Sequence, residues 1–265
     1  MLLEKISKEL KNVIVSNFGE RVIDGKCRFC KEPIIEKYCH CGESQKINKY
    51  CLKASQFMNN VAFWVTLYDD DASILKQSAT KTPSLFAGMQ FKDYKINNQS
   101  QQNALNKVVN YSENALLNYL FGKNLLLIGN YGTGKTMLMS ILAKQIASQS
   151  LATVEFVSTV DLTNKIKSSF DSDVKDATAK ITRRYKETHF LFLDDIDKIN
   201  PTNYIKELMY SLVNYRVEHE LPIVVSANSN IEELETLFGE ATVSRLANKD
   251  KTITVQFTHG NWRIE

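Results

Sequence analysis

Residues 125–128, Leu-Leu-Leu-Ile, form an unbroken aliphatic run that ends on Gly129 and continues as Asn130, Tyr131, Gly132, Thr133, Gly134, Lys135 and Thr136. No other feature of the chain restricts its fold as tightly. A G-x-x-x-x-G-K-[ST] octet that leaves a strand and opens a helix is a phosphate-cradling loop. Its glycines let successive backbone N–H groups converge on phosphate oxygens at a helix N-terminus that already favours anions. In that setting Lys135 reaches the β- and γ-phosphates and Thr136 offers a hydroxyl to Mg2+. The bland alternative is a chance glycine-rich turn, and the order strand, loop, helix argues against it.

The other half of such a site is a strand ending in carboxylates. Residues 190–193 are Phe-Leu-Phe-Leu and run into Asp194 and Asp195, with Asp194 lying 59 residues after Lys135. Asp194 at the strand end would hold Mg2+ through its water shell, and Asp195 would polarise an attacking water. Taken alone, two aspartates after an apolar strand are as well explained by a helix cap. The phosphate loop is what favours chemistry. Two further positions extend the site. The strand at 222–226 delivers Asn228 beside the carboxylates, where an amide could orient water. Arg245, in Ser-Arg-Leu, is an arginine that could serve a neighbouring γ-phosphate or form a surface salt bridge.

From Phe91 onward the pattern is regular. One helix is expected over 100–120, with Leu105, Val108 or Val109, Leu116 and Leu120 on one face. Strands are expected at 124–128, 153–157, 189–193, 222–227 and 252–257. Amphipathic stretches separate them: Leu138, Ile141, Leu142 and Ile146 after the first strand, Leu162, Ile166 and Phe170 after the second, and Tyr204, Leu208, Leu212 and Tyr215 after the third. Strand alternating with helix predicts an α/β fold, a five-stranded parallel sheet flanked by helices. Three zones result: a 1–52 module, a 53–90 helical or linker segment with the apolar patch Phe57, Phe63 and Trp64, and a 91–265 nucleotide-binding domain.

Composition narrows the class further. The 265 residues are 43% hydrophobic and 24% charged, the balance of a globular chain of one domain with a small appendage. Apolar runs such as 61–67 are far short of the roughly 20 residues needed to span a bilayer. The N-terminus, MLLEKISKEL, carries charges where a signal peptide needs an apolar core, so a cytoplasmic location is expected. With 33 Lys and Arg against 30 Asp and Glu, the net charge of +3 does not itself argue for nucleic acid.

All five cysteines fall between Cys27 and Cys51. Such clustering suggests a metal site in a reducing compartment rather than a disulfide framework. Cys27 and Cys30, then Cys39 and Cys41, supply four thiolates at spacings usable by tetrahedral Zn2+. His40 could substitute for a neighbour, Cys51 is surplus, and unliganded thiols are the alternative. A module this small needs the metal to fold.

Together these residues resemble the AAA+ ATPases that load the bacterial replicative helicase, the DnaC and DnaI loaders. The resemblance runs from about Phe91 to Arg263. It rests on FKDYKINNQSQQNALNKVVNY, the phosphate loop, FLFLDDID, VVSANSNIEELETLFGE and VSRL. It implies that Asn228 is the sensor-1 asparagine and Arg245 an arginine finger presented in trans. It also places family arginines at Arg216 and Arg263. About 20 residues follow Arg245, too few for a full helical lid domain.

The resemblance further implies ATP-driven self-association and contact with a hexameric replicative DNA helicase through residues 1–90. Single-stranded DNA contact is implied after the second strand, where Lys165 and Lys167 could meet phosphates. Phe170 there could stack on a base or belong to the core. A transposition helper ATPase has much the same core. A P-loop small-molecule kinase would need a cluster of lid arginines that the sequence lacks.

Overall fold

The computed structural model describes residues 22–23, 26–27, 82–150, 152–170 and 176–258. The chain divides into two units, Met1–Ile74 and Leu75–Glu265. In the first, β1 (Val22–Ile23) pairs antiparallel with β2 (Lys26–Cys27), setting Val22 opposite Cys27. Cys27 therefore ends a short hairpin. Cys30, Cys39, His40, Cys41, Cys51 and the patch Phe57, Phe63 and Trp64 lie outside the described residues, as does Arg263.

The second unit is built around a parallel sheet of β3 (Asn124–Gly129), β4 (Val154–Ser158), β5 (Phe190–Asp194), β6 (Ile223–Ala227) and β7 (Thr252–Phe257). Its spatial order is β4-β5-β6-β3-β7. All five strands fall within one or two residues of the ranges read from the sequence. The alternation of side chains explains why both faces are covered. Leu126, Leu191, Leu193, Val225 and Ala227 join one buried cluster. Leu125, Leu127, Phe190, Phe192 and Val224, one position out of phase, are equally buried and point to the other face.

The helices are α1 (Gln99–Glu113), α2 (Ala115–Phe121), α3 (Lys135–Ser150), α4 (Thr159–Phe170), α5 (Ala177–Glu187), α6 (Asn203–Glu218), α7 (Ile231–Phe238) and α8 (Glu240–Leu246). Leu138, Ile141, Leu142 and Ile146 of α3 are all buried, as their spacing requires, and Val108 rather than Val109 enters the core of α1.

Three expectations change. The single helix over 100–120 is two, broken at Asn114, whose side-chain amide donates to the carbonyl of Asn110 at 2.8 Å in competition with the helical ladder. The stripe of α6 is turned by one residue. Ile205, Met209, Leu212, Val213 and Arg216 are buried, while Tyr204 is 44% exposed. Phe170 is not core. It is 56% exposed at the end of α4 and meets the Tyr204 ring edge-on at 5.4 Å. Helix α5 had no counterpart in the sequence reading, because its strongly polar stretch buries a single side chain, Tyr185.

Candidate nucleotide site

Parallel register assembles the site at the C-terminal ends of the central strands, where open α/β sheets bind ligands. Leu193 pairs with Val225, so the next residues, Asp194 and Ser226, are neighbours. Ile128 pairs with Ala227, so Gly129 and Asn228 leave the sheet side by side. Gly129 has no alternative at its position. Its φ is +153°, and a Cβ there would sit 2.2 Å from the carbonyl oxygen of Phe257 on β7. The loop then turns through Gly132 and Gly134, both at positive φ, into α3.

Within the loop, Thr133 Oγ1 donates to the carbonyl of Asn130 at 2.9 Å. A buried tyrosine, Tyr94, donates its hydroxyl to the carbonyl of Thr133 at 3.2 Å and braces the loop from behind. The Lys135 ammonium turns back on the loop and donates to the carbonyls of Gly129 (2.5 Å) and Asn130 (2.8 Å) and to Asn228 Oδ1 (2.9 Å). Burial pulls its pKa down, and the carboxylates of Asp195, Asp197 and Asp194 pull it back up. An ammonium held by neutral carbonyls and three nearby carboxylates is a cation kept in place for an incoming anion.

The carboxylate side is equally ordered. Asp194 Oδ1 accepts from Ser226 Oγ at 2.6 Å and from Thr136 Oγ1 at 3.1 Å. The same Ser226 oxygen accepts the N–H of Asp195 at 2.8 Å. One buried hydroxyl thus fixes both aspartates. Burial pushes the Asp194 carboxyl above its usual range, the Ser226 hydrogen bond opposes this, the Asp195 charge adds to it, and Thr136 and Lys198 oppose it. Asp195 sits at φ 51° and forms an ion pair with Lys198. Asn228 closes the ring: its Nδ2 donates to Asp195 Oδ1 at 3.3 Å and to Asp197 Oδ1 at 3.2 Å.

Above these groups lies a cleft of about 210 Å3 whose floor is the phosphate loop and whose outer wall includes Leu85, Phe86 and Tyr131. Lys144, on α3, anchors that wall by donating to the carbonyls of Phe86 (2.5 Å) and Ala87 (2.8 Å). The cleft therefore joins an apolar mouth to a cationic floor, and Thr136 of its lining is bonded to the Asp194 carboxylate behind it. A nucleotide matches the first two, and a divalent cation matches Asp194 with Thr136.

Asp195, Asn228, Gly129, Asn130, Lys135, Thr136 and Asp194 are brought together as their motifs predict. Tyr131, Gly132, Thr133 and Gly134 line the same cleft. Arg245 is held elsewhere. Its Nε donates to Asn214 Oδ1 at 2.9 Å, one terminal nitrogen to the carbonyl of Ala241 at 2.7 Å, and its guanidinium lies 5.1 Å from the centre of the Tyr210 ring. Arg216 is fully buried with its terminal nitrogens on the carbonyls of Tyr185, Lys186, Thr188, His189 and Pro222, at 2.6–3.2 Å. It ties α5, β5 and β6 together and is not presented to a ligand.

Sequence reasoning missed Ser226, Asp197, Lys198 and Tyr94. The signal for Asp197 and Lys198 was present, as further charges directly after two aspartates. Ser226 and Tyr94 became visible only through strand register and tertiary packing.

Residues 125–248 match the family described as ATPase family associated with various cellular activities (AAA). The chain is 26% identical over 131 residues to the replicative helicase loader DnaI of Bacillus subtilis (strain 168), covering 49% of this chain and 40% of that one. It is 24% identical over 159 residues to the replicative helicase loader DnaC of Escherichia coli (strain K12), covering 59% and 62%. Over its nucleotide-binding core this chain is similar to the AAA ATPases and to the DnaC and DnaI helicase loaders. The crystal structure of the DnaC helicase loader shares the fold, with a TM-score of 0.59 at 22% identity over 66% of this chain and 99% of that one.

The match spans less than two thirds of either curated relative. The family match contains the phosphate loop, both aspartates, Asn228 and Arg245. Among the described residues no helix is long and apolar enough to cross a membrane, and no cluster of three metal-ligating side chains occurs.

Proposed function

We propose that this chain is an ATP-dependent loader that engages a hexameric replicative DNA helicase and helps place it on single-stranded DNA. The observation that carries the reading is the pairing of Lys135 with Asn228 and of Thr136 with Asp194 across one cleft. Two relatives that resemble this chain, DnaI and DnaC, are both replicative helicase loaders, which supports this reading.

In this reading ATP lies with its base against Leu85 and Phe86 and its phosphates on the loop. Lys135 leaves the loop carbonyls for the β- and γ-phosphates. Asp194 and Thr136 would hold Mg2+, which neutralises phosphate charge. Asp195 polarises the attacking water and Asn228 orients it. Arg245 acts on the γ-phosphate of an adjacent copy, so ATP binding favours self-association and hydrolysis releases it. Lys165 and Lys167 with the exposed Phe170 form the DNA-facing surface, suited to phosphates and base stacking. Cys27, Cys30, Cys39 and Cys41 bind Zn2+. A hairpin ending on Cys27 fits a four-thiolate site, and the purified protein is expected to hold one zinc that Cys30→Ser loses.

The test is light scattering of this protein with its host's replicative helicase, with and without a non-hydrolysable ATP analogue. A stable complex containing the helicase hexamer is expected. No complex in either condition, from protein that holds its zinc, overturns the loader reading. Lys135→Ala is expected to lose nucleotide binding by at least about a hundredfold while remaining folded. Unaltered ATP affinity would remove the nucleotide site itself.

A further inference from the structure

Asn228 stands between two kinds of neighbour. Its Oδ1 faces the Lys135 ammonium at 2.9 Å, while its Nδ2 faces Asp195 Oδ1 at 3.3 Å and Asp197 Oδ1 at 3.2 Å. An ammonium can only donate, and an ionised carboxylate can only accept. The amide therefore satisfies all three neighbours in a single orientation. Turning it over would set its NH2 against the ammonium and its oxygen against two carboxylates.

Asp197 does more than accept one of these bonds. Its other oxygen, Oδ2, accepts the backbone N–H of Asn228 at 2.8 Å and that of Ser229 at 2.6 Å. One carboxylate thus holds the main chain from which Asn228 springs and the nitrogen end of its side chain. Asp195 cannot substitute in this, since its Oδ2 is engaged by Lys198 and its longer contact is with the side chain alone.

We propose that Asp197 is the positioning residue that fixes Asn228 with its carbonyl oxygen, not its NH2, toward the phosphate end of the cleft. The inference rests on the ATPase reading above. Once a γ-phosphate draws Lys135 away, Asn228 Oδ1 is a vacated acceptor and takes one O–H of the attacking water. The second O–H is directed to Asp195. The water's lone pair then faces phosphorus. As the new O–P bond forms, the bond from the γ-phosphorus to the bridging oxygen breaks, ADP leaves with that electron pair, and Asp195 receives the water's proton. An NH2 in the same place would donate to the lone pair and turn it from phosphorus.

The deciding variant is Asp197→Asn. Its one oxygen can keep the two backbone N–H groups, which leaves its NH2 opposed to Asn228 Nδ2, and Asn228 turns over. The kcat for ATP is expected to fall about tenfold or more with KM within about threefold, because binding survives and orientation does not. Asn228→Ala is expected to lose as much, and the double variant no more than Asn228→Ala alone. A kcat within twofold of the parent overturns the proposal. So does a double variant that loses the product of the two single effects.

A second measurement stands apart from turnover. In the parent protein the Asn228 side-chain amide, assigned in 15N NMR by its loss in Asn228→Ala, is expected to exchange slowly with solvent, being bonded to carboxylates. Exchange at the rate of an exposed amide overturns the proposal, even where Asp197→Asn does not fold. A parent protein with protected Asn228 protons and no ATP turnover would defeat the ATPase reading and leave the orientation standing.

Discussion

Helix α6 carries an arginine arrangement on each of its sides, and they are opposite in kind. On the inner side Arg216 is fully buried among five backbone carbonyls. On the outer side Arg245, reaching over from α8, leans on Asn214 and Tyr210 and stays partly exposed. Burial lowers the pKa of Arg216, and the nearby tyrosines Tyr111, Tyr119 and Tyr215 oppose this. A guanidinium so enclosed can join elements but cannot reach another molecule. Arg245 is only partly enclosed, with one backbone partner, the Ala241 carbonyl, beside the side chains of Asn214 and Tyr210. The same residue type is thus locked in place or left at the surface according to how completely its partners enclose it.

The strongest way to break this contrast is Arg245→Ala. Folding and ATP affinity are expected to stay near the parent, while hydrolysis stimulated by assembly falls by about 10³. Steady-state rates across protein concentration check it, and full retention would make Arg245 a surface residue like any other. Arg216→Met tests the other side. Taking the guanidinium away from these carbonyls is expected to cost about 3–5 kcal/mol, read as a lower urea midpoint. An unchanged midpoint would mean that the carbonyls find water.

Burial also governs Asp194, this time on a carboxyl, and it sharpens the comparison. Its folded pKa is raised, chiefly by burial. As pH rises above about 4, the unfolded chain releases this proton first, so the folded state loses stability until pH passes the raised value. Asp194→Asn is therefore expected to stabilise the nucleotide-free protein at neutral pH, on the order of 1 kcal/mol, and to remove that part of the pH dependence. Denaturation at pH 4 and pH 7 checks both. The smallest effect is expected from Tyr210→Phe, which keeps the ring beneath Arg245 and gives up one 3.4 Å contact. Stability within about 0.5 kcal/mol and stimulated hydrolysis within twofold are expected.

Much of this was legible in the sequence because a parallel strand buried on both faces leaves an apolar run that little else imitates. The strands and the residues that end them, Gly129, Asp194 and Asn228, follow from that. Helix faces were less legible where aromatic residues sit at the edge of the stripe. Tyr204 and Phe170 fit the helical period of the core, yet pair with each other at the surface. The period registers hydrophobicity and not which side the chain turns inward. Ser226 and Asp197 were hidden for another reason. Their roles come from strand register and from hydrogen bonds across 31 or 32 residues of chain, and neither leaves a local pattern. Arg216 could be located from the sequence, but nothing there distinguishes a buried clamp from an exposed finger.

The left-handed backbone at Asp195 restricts which substitutions can test its proposed role cleanly. At φ 51° asparagine is as comfortable as aspartate, whereas alanine or glutamine adds roughly 1–2 kcal/mol of local strain. Asp195→Asn removes the proposed proton acceptor without disturbing the turn. A substitution library at this position is expected to separate by backbone tolerance first and by chemistry second: asparagine and glycine alleles yield folded, hydrolysis-deficient protein, and the remainder confound lost catalysis with lost fold.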